Sequence, residues 1–112
     1  MKLHVILADD HALVRAGLRM LVEAMPDVAV LGEASDGYEA IALVEKHHPH
    51  LVLMDIAMPG LNGLEATARI TKQWPDVKVV MLSMHQDDQY VRQALFAAYA
   101  ELQNGRAAAR KN

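Results

Sequence analysis

The sequence predicts an α/β fold, a doubly wound parallel sheet with helices on both faces. Two observations carry that expectation. Short, nearly continuous apolar runs alternate with longer stretches whose apolar residues recur at helical spacing. The runs also contain very few polar residues, which fits strands covered on both faces rather than strands with one face in water.

Leu3–Ala8 is the first run, broken only by His4. The period then changes: Val14, Leu18, Leu21, Val22 and Met25 fall on one side of a helix, which Pro26-Asp27 ends. Val28–Ala34 reads as a second strand. Ser35-Asp36 can cap a helix that turns Ala40, Ile41 and Val44 inward and stops before Pro49. Leu51–Met54 is a third strand with Asp55 at its carboxyl end. A loop over 56–62 contains Pro59-Gly60. Gly63, Thr67, Ile70 and Trp74 mark a third helix, stopped by Pro75. Val77–Leu82 is a fourth strand followed by Ser83, and Asp87 can cap a fourth helix through Val91, Ala94 and Leu95. Each crossover should be right-handed.

The chain of 112 residues fits one domain and is long enough to bury a core without staples. With no cysteine, disulfides and thiolate metal sites are excluded. A net charge of -3 gives no bulk attraction to nucleic acid, so no direct nucleic-acid binding is expected. The apolar residues, 53% of the chain, are scattered and form no membrane span, and Asp9-Asp10 arrive too early for a signal peptide. A cytoplasmic location is the expectation.

Ligands of open parallel sheets bind beyond the carboxyl ends of the strands. The first strand ends at Asp9-Asp10, the third at Asp55 and the fourth at Ser83. Clustered carboxylates repel one another and call for a cation, and an all-oxygen set suits Mg2+. A carboxylate beside Mg2+ can also serve as a nucleophile toward phosphorus. Asp-Asp ahead of a helix also fits a simple N-cap, and Ser83 alone fits a cap. It is the combination, at corresponding strand ends, that points to phosphoryl chemistry. His47-His48-Pro49-His50 resembles a metal cluster, but Pro49 interrupts any common helical face, and the segment reads as a solvated turn. Met20, Met25, Met54, Met81 and Met84 read mostly as core filler. The glycines form no dinucleotide fingerprint.

The runs Ile6–His11, Leu53–Gly63 and Val79–Ser83 resemble the acidic opening, phosphorylation-site motif and hydroxyl-bearing strand of response regulator receiver domains. Asp10-His11 and Gly63-Leu64-Glu65-Ala66 are similar to the NarL/FixJ (LuxR-type) subfamily. The match covers residues 1–97, leaving 98–112 as a divergent helical, basic tail with no output domain. The resemblance implies a flavodoxin-like fold and a two-component switch, not an enzyme. Asp55 would accept a phosphoryl group from a sensor histidine kinase. Asp10 would bind Mg2+ directly, Asp9 directly or through water, with Asp55 and the carbonyl of Ala57 completing the set. Ser83 would turn toward the phosphoryl group, and Ala57 and His85 would tune its loss. Transcription would be the controlled output.

The sequence departs from the family after the fourth helix. The position of the active-site lysine falls at Gly105, and that of the switch aromatic near Leu102. Val91, Ala94, Leu95, Ala98 and Leu102 instead continue one helical face, with Gly105 capping or interrupting it. The expectation is therefore four strands and an elongated fourth helix, without a fifth strand or fifth helix. The fourth strand would be an open edge, and without a fifth helix part of the first helix and of the sheet would lose its cover. Self-association through the fourth strand, fourth helix or first helix would close that surface. Two other functions compete. A Mg2+-dependent phosphohydrolase would need an acid two residues after Asp55, where Ala57 stands. A phosphorylation-impaired interaction or dimerisation module is favoured by the missing lysine and disfavoured by the intact acid trio.

Overall fold

The computed structural model describes residues 2–83 and 88–111, with the backbone alone for 105–111. The expectations placed on Met84, His85 and Asp87 lie outside the described residues. The elements run β1 (Leu3–Ala8), α1 (Ala12–Glu23), β2 (Val28–Ala34), α2 (Gly37–His47), β3 (Leu51–Asp55), α3 (Gly63–Gln73), β4 (Lys78–Leu82) and α4 (Asp88–Lys111). Among the described residues the strands form one parallel sheet in the order β2-β1-β3-β4, without a fifth strand. The strand limits agree with the apolar runs to within a residue; β4 starts at Lys78 rather than Val77.

Local chemistry sets the helix starts. The Asp36 carboxylate accepts from the Glu39 N–H at 2.8 Å, and the Asn62 side chain accepts from the Glu65 N–H at 2.9 Å. His48, with φ 47°, ends α2 in the left-handed region, and its N–H reaches the Val44 carbonyl. Trp74 stands just past α3 as its cap rather than within it.

Alternation along the strands builds two cores. Ile6, Ala8, Val52 and Met54 face Ala40, Val44, Ala66 and Ile70 of α2 and α3. Val5, Leu7, Leu51 and Leu53 face Val22 of α1 and Val91, Leu95 and Ala98 of α4. The long α4 therefore lies on the α1 face. It supplies the cover for β3 that the absence of a fifth helix was expected to remove. Since β4 is the last strand of the sheet, no crossover constrains α4 to the other face, and the uncovered leucines of β3 attract its apolar side. The helix also continues through Gly105 instead of stopping there.

The expected loss of cover holds only for the start of α1. Val14, assigned to the inward side, is 56% exposed, and Met20 is 75% exposed, so neither belongs to the core. Met54 is fully buried, whereas Met25 and Met81 are half-buried.

One irregularity in β2 matters for the site. Its pairing with β1 slips between Val5↔Val30 and Ile6↔Gly32, leaving Leu31 as a bulge. A slip of one residue exchanges the two faces. Val28 and Val30 thus face α1, while beyond the bulge Glu33 takes that face and Ala34 joins the α2 core.

Candidate functional site

The carboxyl ends of β1 and β3 bring Asp9, Asp10 and Asp55 together, and His11 joins them. One ligand atom from each of the four lies within 4.8 Å of all the others. Asp55 (5% exposed) and Asp9 (8% exposed) are the only polar or charged residues among the buried ones described; Asp10 is more open. Asp9 and Asp10 do not serve as the N-cap of α1. That position is His11, which makes no side-chain capping bond. Instead the Asp9 Oδ1 accepts from the His11 N–H at 2.8 Å, and the His11 Nδ1 stands 3.1 Å from both Asp9 Oδ1 and Asp10 Oδ1. The simple capping reading of the pair is thereby displaced.

The electrostatics show a site with surplus negative charge. Burial, then the neighbouring Asp9, and more weakly Asp10, push the Asp55 carboxyl above its ordinary range; the Ala57 N–H and His11 oppose this. The hydrogen bond to Asp9, then the charge of Asp10, holds the His11 imidazole above its usual value. Ala57, expected to contribute its carbonyl, is recorded here through its N–H to Asp55.

The loop after β3 is held close to Asp55. The Gly63 N–H donates to the Ile56 carbonyl at 2.9 Å, and the Gly37 N–H donates to the Leu61 carbonyl at 2.9 Å. A Cβ on Gly63 would overlap the Asp55 carbonyl oxygen, so only glycine permits this approach. Met58 and Leu61 anchor the loop in the core, and Gly60, with φ 68°, turns it.

Ser83 is exposed beyond β4 and lines a cavity of about 400 Å³ together with Asp55, Asp9 and His11. The rest of its lining is mostly apolar, with Val14, Leu18 and Leu21 of α1, Leu82, and Val91 of α4, beside Asp88. Among the described residues, no lysine lines it. The carboxylates fit a small divalent cation. Asp9, Asp10 and Asp55 would hold it, and its charge would offset the repulsion from Asp9 and Asp10 that adds to burial in raising Asp55.

The histidine run is not the solvated turn the sequence suggested. His50 is half-buried, and its Nδ1 accepts from the His4 N–H at 2.8 Å, while its own N–H donates to the His4 carbonyl at 2.9 Å. His50 thereby prolongs the sheet pairing by one step with its side chain. His48 is exposed. Trp74 shares a cleft with His48 and His50 at the amino edge of the sheet, which makes it a poor reporter on Asp55 at the other edge. Sequence spacing also missed His11 and Arg15 as residues touching the acidic turn. Their one signal was local: they follow Asp10 by one and five positions.

Comparison with known proteins agrees with this geometry. Residues 5–102 match the family model of the response regulator receiver domain. The transcriptional regulatory protein DegU of Brevibacillus brevis is 43% identical over 94 residues, which cover 84% of this chain and 40% of DegU. The chain thus spans about two fifths of the length of the curated relatives it matches. The crystal structure of a LuxR-family two-component response regulator from Aurantimonas is 37% identical, with a TM-score of 0.72 over 88% of this chain and 69% of that one. The receiver domain of AraT from Geobacillus stearothermophilus, 22% identical, shares the fold with a TM-score of 0.82, covering 95% of this chain and 99% of that one. No helix among the described residues is long and apolar enough to cross a membrane. With its four-stranded flavodoxin-like sheet and its acidic cluster, the chain belongs to the response regulator receiver domain family.

Proposed function

We propose that this chain is a phosphorylation-controlled switch that takes a phosphoryl group from a sensor histidine kinase onto Asp55. The observation that carries the reading is the gathering of two further carboxylates, Asp9 and Asp10, around buried Asp55, with Ser83 on the same cavity. A carboxylate oxygen of Asp55 attacks phosphorus, the P–N bond of the donor phosphohistidine breaks, and the departing imidazole takes up a proton. Asp9, Asp10 and Asp55, with the Ala57 carbonyl, would hold Mg2+, which would supply charge neutralisation for the transferring oxygens. The Ala57 N–H orients Asp55. The Ser83 hydroxyl donates to a phosphoryl oxygen once it is in place. Ala57 and His85 set how readily water reaches the phosphoryl group. In an intact cytoplasmic regulator the switched surface would control transcription.

Without an acid at position 57 the site is a switch rather than a phosphohydrolase. A second reading, an interaction module impaired in phosphorylation, is favoured by the lysine-free lining of the cavity. Incubation with acetyl phosphate and Mg2+ separates the two. The proposal expects a mass gain of one phosphoryl group, lost in Asp55→Asn and with chelator, and no turnover of a small phosphate ester. An unmodified chain would favour the second reading. Self-association is the accompanying proposal: β4 is an open edge with half-buried Val79 and Met81, and Leu13 and Val14 of α1 are exposed. A stable monomer by light scattering at micromolar concentration would rule it out.

A further inference from the structure

The acidic turn that follows β1 is tied to β2 by a backbone hydrogen bond and by one side chain. Arg15, in the second turn of α1, donates from Nη1 to the Asp9 carbonyl oxygen at 2.5 Å and from Nε to Glu33 Oε1 at 2.8 Å. The Asp9 N–H donates to the Ala34 carbonyl at 2.9 Å. Both sides of the Asp9 residue are therefore tied to consecutive residues of β2, directly at Ala34 and through Arg15 at Glu33. Glu33 faces α1 only because of the bulge at Leu31. Its other oxygen accepts from Arg19 Nη1 at 2.6 Å, and the two arginines, Arg19 first, hold its carboxyl below the ordinary range.

We propose that Arg15 is a positioning residue for the metal and phosphoryl site: braced by Glu33, it grips the Asp9 carbonyl and so aims the Asp9 and Asp10 carboxylates at Asp55. The proposal rests on the reading of Asp9, Asp10 and Asp55 as a cation site. Three like-charged carboxylates left to themselves move apart. The contacts of His11 with the two carboxylates stay within the turn, so Arg15 and the Ala34 carbonyl are what tie it to β2. A planar guanidinium can hold two acceptors at once, whereas an ammonium acts as a point charge. Arg19 shares Glu33 but is not recorded touching the acidic turn, which makes it an internal control.

The test is Mn2+ binding to the full chain, counted by loss of the free-ion EPR signal, with Mg2+ affinity by calorimetry and the metal-free melting temperature of each variant. Removing a group that orients ligands from outside the metal shell commonly weakens metal affinity 10- to 100-fold, as a general rule. Arg15→Gln is therefore expected to weaken Mn2+ binding about tenfold or more, while Arg19→Gln stays within about twofold of the unchanged protein. If Arg15→Gln does not fold, Arg15→Lys keeps the charge and should still bind Mn2+ more weakly. Glu33→Gln retains an acceptor for Nε and should preserve affinity that Glu33→Ala loses. Equal affinities for the Arg15 and Arg19 variants would overturn the proposal, as would affinities that follow melting temperature alone. A wild-type chain that fails to bind Mn2+ would overturn the cation site itself, an outcome distinct from the first two.

Discussion

The two edges of the same sheet treat their polar groups in opposite ways. At the amino edge, polar side chains are matched: His50 accepts from the His4 backbone, and Lys78 meets Glu101 at 2.6 Å. At the carboxyl edge, three carboxylates crowd together with a single half-exposed imidazole among them. The first arrangement contributes to the fold, while the second costs it something and is held in place by the surrounding structure. The difference teaches where to look for function in such a sheet: at polar groups whose neighbours make them worse off, not at those already satisfied.

The largest expected effect sharpens this contrast. Mg2+ at a hundred times its dissociation constant should stabilise the chain by about 2.7 kcal/mol, read as a rise in melting temperature. The gain should vanish in Asp10→Asn. An unchanged melting temperature would leave the carboxyl edge without its proposed ligand.

At the amino edge His50→Ala should cost about 2 kcal/mol in denaturant unfolding, because it strips a partner from the His4 N–H inside the sheet. A neutral result would show that this edge is not the matched one.

Asp55→Asn should act with the opposite sign, raising the stability of the metal-free chain at neutral pH. An acid whose folded-state pKa is raised, as burial and Asp9 raise that of Asp55, helps the fold in full below its unfolded value. That help is lost as pH rises through the folded-state value. The advantage of Asp55→Asn over the unchanged chain should therefore grow from acid toward neutral pH and shrink when Mg2+ is added. An advantage independent of pH would break the electrostatic account.

The smallest effect belongs to Glu101→Gln. It opens a largely exposed ion pair and should cost less than about 1 kcal/mol, falling further at high salt.

The strands were legible in the sequence because burial on both faces leaves a nearly continuous apolar run, and Leu3–Ala8 and Val28–Ala34 end where the structure ends them. The caps at Asp36 and Asn62 follow from chemistry within four residues, although only the first was anticipated. What the sequence hid was long-range. His4 and His50 are 46 positions apart, and Arg15 and Glu33 are 18 apart, so no local period signals either pair. The bulge at Leu31 was equally hidden, since Val28–Ala34 reads as an ordinary strand without it. Helical spacing found the apolar side of α4 at Val91, Leu95 and Ala98, but a period carries no information about which face of the sheet receives it. The acidic trio was legible because its members lie at strand ends; the brace behind Asp9 was not.

The unbroken course of α4 has a mechanical consequence. Its 24 residues make a rod about 36 Å long, and its first turn borders the cavity shared by Asp55 and Ser83. A tilt of about 10° at that turn would carry the far end through roughly 6 Å, as simple lever arithmetic on the helical rise requires. A shift too small to repack the sheet would thus be enlarged at the other end of the helix.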